Sequence, residues 1–349
     1  MAIWAGATVN TNELAAVFNQ LANKKLVPMV RRHSPLFTLL TGEADSGFLF
    51  DGKTNPYAAF KAQRMRKITG HNIEVRLRGA LLSGLATVAD GSAEYATATP
   101  DYGSAKYGAA EFAITHYAHN VAFPSHEIDR FAGDEAKTMD WIDDEFEGLA
   151  LGIAKEVETQ IGGANATSRT QLGGWQYAVS DGVSTGETSY ATYGLIDRSD
   201  SGNADFRGNN DVTGGTLTTA KIRAQRLLCN ARGGQPNLGV AGRTVYDIVY
   251  ALVEPYAHVT YDEKMAEFGS ENVKYQGVTY LFDNYTSSGV LGLLDTSTFM
   301  FYMKDKNFVK SYVQNAPWLV ASDVLNYELW CQLVCMKPNS NAKLTSIVA

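Results

Sequence analysis

Few residues in this sequence stand at spacings that chemistry requires. Gly182-Val183-Ser184-Thr185-Gly186 matches the G-x-S-x-G pattern, in which a buried strand delivers a nucleophilic serine onto a sharp turn into a helix. Polar Ser180, Asp181, Glu187, Thr188 and Ser189 flank it, so a plain glycine-serine loop is the favoured reading and a Ser184 hydrolase is the enzyme alternative. His116 and His119, three apart in a strand-like stretch, point to opposite faces, which argues against a metal pair. Cys331 and Cys335 are four apart in an apolar strand and share a face, yet no second Cys or His pair supplies the remaining tetrahedral zinc ligands. With Cys229 they read as free, buried thiols of a protein made in a reducing compartment. Neither a P-loop nor a dinucleotide-type glycine loop is present. The expectation is a protein without catalytic residues, metal or cofactor.

The elements that position these residues are read from periodicity. The clearest is a helix opening at Asp134, with Met139, Ile142, Phe146, Leu149, Ile153, Val157 and Ile161 at steps of three and four before Gly162 and Gly163. About 28 residues at 1.5 Å each make a rod of roughly 42 Å. Its outer face reads as acidic and solvated or partner-facing, carrying Glu135, Asp140, Asp143, Asp144, Glu145, Glu147, Glu156 and Glu158. Two shorter helices follow, one with Ala224, Leu227, Leu228 and Ala231 on its apolar face, the other with Val245, Ile248, Val249 and Leu252. Leu14, Val17, Phe18 and Leu21 mark a short helical signal in an N-terminal arm. Ile73, Val75 and Leu77 alternate with charges and suggest an extended hairpin, and strands are expected at 111–123, 275–282, 290–303 and 327–337. Residues 163–216 read as irregular loops with short strands. The order predicts an α+β fold whose final strands return to the first sheet.

The 349 residues are 45% hydrophobic and 19% charged, enough for a substantial core in one large unit or two smaller ones. A formal charge of -7 excludes a surface that grips nucleic acid or anionic lipid all round. No apolar run is long enough to span a bilayer, and 1–9 lacks the basic start of a secretion signal, so the protein reads as soluble and unsecreted. The charge is unevenly placed. Residues 51–78 hold seven basic side chains, Lys53, Lys61, Arg64, Arg66, Lys67, Arg76 and Arg78, against two acids, while 127–158 hold eleven acids against three basic residues. A basic loop and an acidic rod on one chain are complementary, and head-to-tail copies could use them repeatedly. Lys61, Arg64, Arg66, Lys67, Arg76 and Arg78 facing Asp140, Asp143, Asp144 and Glu147 are the candidate intersubunit contacts. Two ordinary solvated faces, or loop and rod meeting within one chain, are the alternatives.

Several segments resemble the major capsid proteins of tailed bacteriophages, the Hong Kong 97-type fold. They are Val273-Lys274-Tyr275-Gln276-Gly277-Val278, Leu293-Leu294-Asp295-Thr296, Gly194-Leu195-Ile196-Asp197-Arg198, and the closing strand Leu329-Trp330-Cys331-Gln332-Leu333-Val334-Cys335-Met336-Lys337-Pro338-Asn339. The resemblance runs over nearly the whole chain. It implies an N-terminal arm at 1–45, an extended loop at 46–105, a peripheral domain with a spine helix at 106–162 and an axial domain at 163–298. Return strands at 299–338 and a C-terminal segment at 339–349 complete the order. It further implies self-assembly into pentamers and hexamers of an icosahedral shell, formed in the bacterial cytoplasm around double-stranded DNA held without sequence-specific binding. Scaffolding, portal and decoration proteins are the implied partners, and no membrane is involved. With only residues 1–45 before the loop, a separate scaffold or none is expected. An encapsulin-type cellular shell is the alternative within the same fold, and a decoration or tail protein the alternative outside it.

Overall fold

A computed structural model describes residues 35–41, 65–68, 70, 72–78, 107–124, 135–253, 272–304, 310–315 and 322–348. The 14–21 stretch, Asp134, Lys53 and the loop at 79–106 lie outside the described residues. The first part of the chain forms helix α1 (Pro35–Thr41), strands β1 (Met65–Lys67), β2 (Asn72–Arg78), β3 (Tyr107–Ala113) and β4 (Thr115–Pro124), and the long helix α2 (Glu135–Gly162). Then come the short helix α3 (Trp175–Ala178), β5 (Thr192–Tyr193), β6 (Ile196–Asp197), β7 (Asn209–Asp211), β8 (Gly215–Thr216), α4 (Thr219–Ala231), β9 (Leu238–Ala241) and α5 (Arg243–Val253). Strands β10 (Asn272–Tyr275), β11 (Val278–Phe282), β12 (Leu291–Leu294), β13 (Phe299–Met303), β14 (Lys310–Asn315), β15 (Ser322–Cys335), β16 (Ala342–Leu344) and β17 (Ile347–Val348) close the chain.

Two sheets organise it. The first has five strands, with β15 pairing antiparallel to β13 and β14 on one side and to β4 on the other, and β1 running parallel to β13. The late strand β15 thus returns to the early strand β4, as the order of elements predicts. The second sheet has six strands in the order β10-β11-β9-β12-β16-β7. Its alternation divides the apolar residues between two faces. Val278, Tyr280, Leu291, Leu293, Ala342 and Leu344 pack under α4 and α5, whereas Leu238, Val240, Leu281 and Leu294 join the core that contains the first sheet. Trp175 lies on that second face over Gly292, where a Cβ would come within 2.6 Å of the indole.

Several strand boundaries differ from the periodic reading because a break carries no hydropathy signal. The expected strand at 111–123 is two strands in different sheets, since the chain changes partner at Ile114 and Thr115 turns to bond the carbonyls of Ser168 and Gln171. The 275–282 piece spans part of a hairpin whose two-residue turn, Gln276 and Gly277, has both φ angles positive. The 290–303 piece splits at Asp295–Thr298, where the chain crosses from the second sheet to the first. Met65–Lys67, expected within an extended hairpin, is an edge strand of the first sheet, and the hairpin proper is β2 with β3.

Helix α2 has the expected 28 residues and buries Leu149, Ala154, Val157 and Ile161 in the main core. Glu158 does not lie on a solvated acidic face. It is 4% exposed and accepts the Leu36 backbone N–H at 3.0 Å, which ties the short helix α1 to the long one. The spacing of Ala154, Val157, Glu158 and Ile161 places this carboxylate inside the apolar stripe. Burial, with the Asp283 carboxylate nearby, pushes Glu158 up to about 8 from 4.5. An acid held this way binds its proton more tightly when folded, so stability is fullest below pH 4.5 and falls as the pH rises through about 8. Glu158→Gln keeps an acceptor for Leu36 and carries no charge. It is expected to flatten that decline and to raise the melting temperature at pH 8, as followed by thermal unfolding from pH 5 to pH 9. A slope identical to wild type would show that Glu158 is not the titrating group.

Candidate assembly surfaces

The residues with catalytic spacing are placed in structural roles. Ser184 follows a bend and precedes a single 3-10 turn at Thr188–Tyr190, without the strand and helix of a nucleophile elbow. Its hydroxyl donates to Asp181, whose carboxylate also accepts the Val183 and Ser184 N–H groups at 3.2 Å. His116 stacks on Trp330 of the neighbouring strand, ring centroids 3.8 Å apart, with the Lys304 ammonium 4.1 Å from the same indole. Cys229, Cys331 and Cys335 are free and buried, and burial raises all three thiols, Cys229 to about 11 and Cys335 to about 12. Among the described residues no cluster suits a metal ion, and no helix is long and apolar enough to cross a membrane.

The charged candidates divide between elements. Arg66 and Lys67 are on β1, in register with Tyr302 and Met303, and Arg66 is exposed with its guanidinium facing the Tyr302 hydroxyl. Arg76 and Arg78 are on the hairpin strand β2, opposite Ala109 and Tyr107. Asp140, Asp143, Asp144 and Glu147 are all in the N-terminal half of α2, and Asp144 is exposed. Lys61 and Arg64 lie outside the described residues. Of these side chains only those of Arg66 and Asp144 are described, and no ion pair joins these two.

The base of the basic hairpin is clamped to the core by the segment 194–198. Gly194 and Leu195 form the two-residue turn between β5 and β6, both with positive φ. A Cβ on Gly194 would sit 2.5 Å from the Phe112 ring, so only glycine lets the β3 arm lie this close. The Gly194 carbonyl accepts the Glu111 N–H at 3.0 Å, and Phe112 meets Tyr193 edge to face at 4.8 Å. Behind the turn, Arg198 is fully buried and donates to the carbonyls of Tyr177 at 3.0 Å and Ala178 at 2.6 Å. Its guanidinium lies 4.4 Å from the Tyr193 ring centroid, and burial lowers its pKa to about 10. Carbonyls and ring faces, not a carboxylate, receive this charge.

Further buried charges were invisible to periodic reading. Lys343, on β16, is 2% exposed and pairs with Glu187 at 2.5 Å while donating to the Gln176 carbonyl at 3.0 Å. Ser180 completes the Glu187 carboxylate with a 2.6 Å bond. The only signal was a lysine alternating with Ala342 and Leu344 in a strand with no acid nearby in sequence. Helix α4 departs from expectation in its face. Ile222, Gln225 and Cys229 are its buried residues, whereas Leu227 and Leu228, expected inside, are 58% and 47% exposed. Ile222 and Cys229, with Gln225 between them, face the sheet, and the alanine-leucine side faces away from it.

A sheet of five strands centred on a returning strand, a long helix against its core, a clamped hairpin and a second six-stranded sheet make up the α+β, Hong Kong 97-type fold of phage capsid shell proteins. The solved chains it is similar to include one from the cyanophage A-1(L) capsid asymmetric unit, at 15% identity, over 88% of this chain and 97% of that one, with a TM-score of 0.55. Another is from the capsid of an empty GTA particle, at 12% identity, over 88% and 94%, with a TM-score of 0.53. An encapsulin complex from Synechococcus elongatus is matched at 11% identity over 90% and 95%, with a TM-score of 0.47, a likeness too slight to weigh. No family model matches the sequence, and no curated protein does.

Arg198→Met leaves the Tyr177 and Ala178 carbonyls without their donors. It should lower stability by roughly 2–6 kcal/mol, the sum expected for two unsatisfied buried acceptors. Urea unfolding of the variant measures this, and an unchanged midpoint would mean that other donors reach the carbonyls.

Proposed function

We propose that this chain is the major capsid protein of a tailed bacteriophage, assembling as pentamers and hexamers into an icosahedral shell around double-stranded DNA. The observation that carries the reading is the capsid fold extending over 88% of the chain, together with the opposite charge of the 51–78 and 127–158 segments. The role is structural, and no step of chemistry is assigned to it. In this reading the arms, loops and charged faces become buried by neighbouring copies, and weak contacts repeated over a closed shell sum through multivalency. The basic set, Lys61, Arg64, Arg66, Lys67, Arg76 and Arg78, lies over the neighbour's acidic Asp140, Asp143, Asp144 and Glu147. Assembly in the bacterial cytoplasm, with scaffolding, portal and decoration proteins as partners, belongs to the same proposal.

Electron microscopy of the chain expressed alone and purified without denaturant tests it. Closed shells or uniform capsomer rings are expected, and nucleic acid in phage-derived particles separates a genome shell from one packed with protein cargo. A monodisperse monomer at every salt concentration, with candidate scaffolds co-expressed, would overturn the shell reading. The charge pairing has its own check. Arg64→Glu, Arg66→Glu and Lys67→Glu together should weaken assembly, with Asp140→Lys and Asp144→Lys restoring part of it. Each exposed pair is worth roughly 0.2–1 kcal/mol and is screened as the Debye length falls from about 10 Å at 0.1 M salt to about 3 Å at 1 M. Light scattering against salt reads the effect, and assembly indifferent to the triple reversal would remove the pairing.

A further inference from the structure

The outer side of α4 is an apolar stripe that none of the described residues covers. Ala220, Ala224, Leu227, Leu228 and Ala231 are exposed at steps of three and four, while Ile222, Gln225 and Cys229 hold the helix to the sheet. A helix already anchored on one side ordinarily turns charge to water on the other. Here the charge on the helix is all of one sign. Lys221, Arg223 and Arg226, with Arg232 at its end, carry four positive charges and no acid, in a chain whose net charge is -7. Arg223 and Arg232 are exposed beside the two leucines. A partner for this surface must offer apolar side chains among carboxylates.

The chain itself carries such a segment. Positions 254–271 hold Glu254, Asp262, Glu263, Glu267 and Glu271 against a single Lys264, interleaved with Tyr256, Val259, Tyr261, Met265 and Phe268. This stretch leaves the end of α5 and enters β10, which is one edge of the six-stranded sheet. Helix α4 packs over β16 and β7, at the opposite edge. Five strand spacings of about 4.8 Å separate those edges by roughly 24 Å. Two different, complementary segments meeting between identical copies make a heterologous contact, which closes into a ring when the copies join head to tail.

We propose that the Leu227–Leu228 stripe of α4 is an intersubunit contact and that its occupant is a second copy of this chain, presenting the acidic, aromatic 254–271 stretch. This inference rests on the shell reading and assigns one of its contacts. The leucines supply the desolvated centre and Arg223 and Arg232 the charged rim.

The test compares the full-length chain with Leu227→Ala, Leu228→Ala and the double Leu227→Asp/Leu228→Asp, measuring by light scattering and electron microscopy the concentration at which assembly begins. Both side chains are exposed, so circular dichroism and melting temperature of the unassembled variants should match wild type. Each alanine is expected to raise the threshold by about tenfold or more, the effect of one interface hot spot, and the double aspartate to abolish rings and shells. A charge exchange identifies the occupant. Arg223→Glu/Arg232→Glu should block assembly, and adding Glu263→Lys/Glu267→Lys should restore it. Wild type forming shells with all variants assembling equally well would overturn this inference and leave the shell reading standing. A wild type that never associates overturns both. Loss without rescue by the exchange rejects the 254–271 stretch as occupant. Variants that lower the melting temperature of the monomer but leave the threshold unmoved show that the stripe is covered within its own chain, which also rejects the proposal.

Discussion

A single buried amide holds together two of the places where the chain passes between its sheets. Asn341 is fully buried, and its side chain reaches both crossings. The amide oxygen accepts the Asp295 N–H at 2.7 Å, while the nitrogen donates to Thr298 Oγ1 at 3.0 Å and to the Lys337 carbonyl at 2.9 Å. The first crossing carries β12 of the six-stranded sheet into β13 of the five-stranded one, and the second returns β15 into β16. The Asn341 carbonyl also accepts from the Asn209 backbone and side chain, fixing the edge strand β7. An apolar residue of similar size would leave these crossing backbones with unpaired polar groups in a dry core. The relative placement of the sheets therefore depends on polar satisfaction as much as on apolar packing.

The same logic recurs wherever a loop meets the core. Gln332, fully buried on β15, accepts the Gly173 N–H at 2.7 Å and donates to the Ala113 carbonyl at 2.8 Å, joining the end of the hairpin to the loop after the long helix. Arg198, Glu158 and the Lys343–Glu187 pair each bind a segment distant in sequence to a regular element. Buried charges are weak contributors to net stability, because desolvation offsets much of their attraction. Their effect is to select one arrangement of irregular chain, since every alternative strands a charge or a carbonyl away from water.

Outside this core the chain leaves surfaces incomplete in ways that fit a protein whose environment is other copies of itself. Leu195 is 74% exposed at the tip of a turn whose backbone favours glycine or asparagine, and Leu227 and Leu228 face outward from a helix already packed on its other side. The exposed Asp144 of α2 and the exposed Arg66 add surface charge of both signs. A monomer gains nothing from these features.

The sequence by itself determined the long amphipathic helix within a residue of its ends, the two shorter helices, the return of a late strand to the first sheet, and the burial of the free cysteines. These are matters of local periodicity and of which partners are missing, and both can be counted along a chain. The resemblance carried by the 194–198 and 329–339 segments was legible too, although not the reason for it. Only the tertiary structure decided which side of α4 is inside, where 111–123 and 290–303 change sheets, and that Glu158, Arg198 and Lys343 are buried. Those outcomes depend on groups far apart in sequence: Glu158 on Leu36, Lys343 on Glu187, Gly194 on Phe112. Hydropathy assigns such residues to the surface because it counts the cost of burying a charge and cannot see the distant group that satisfies it.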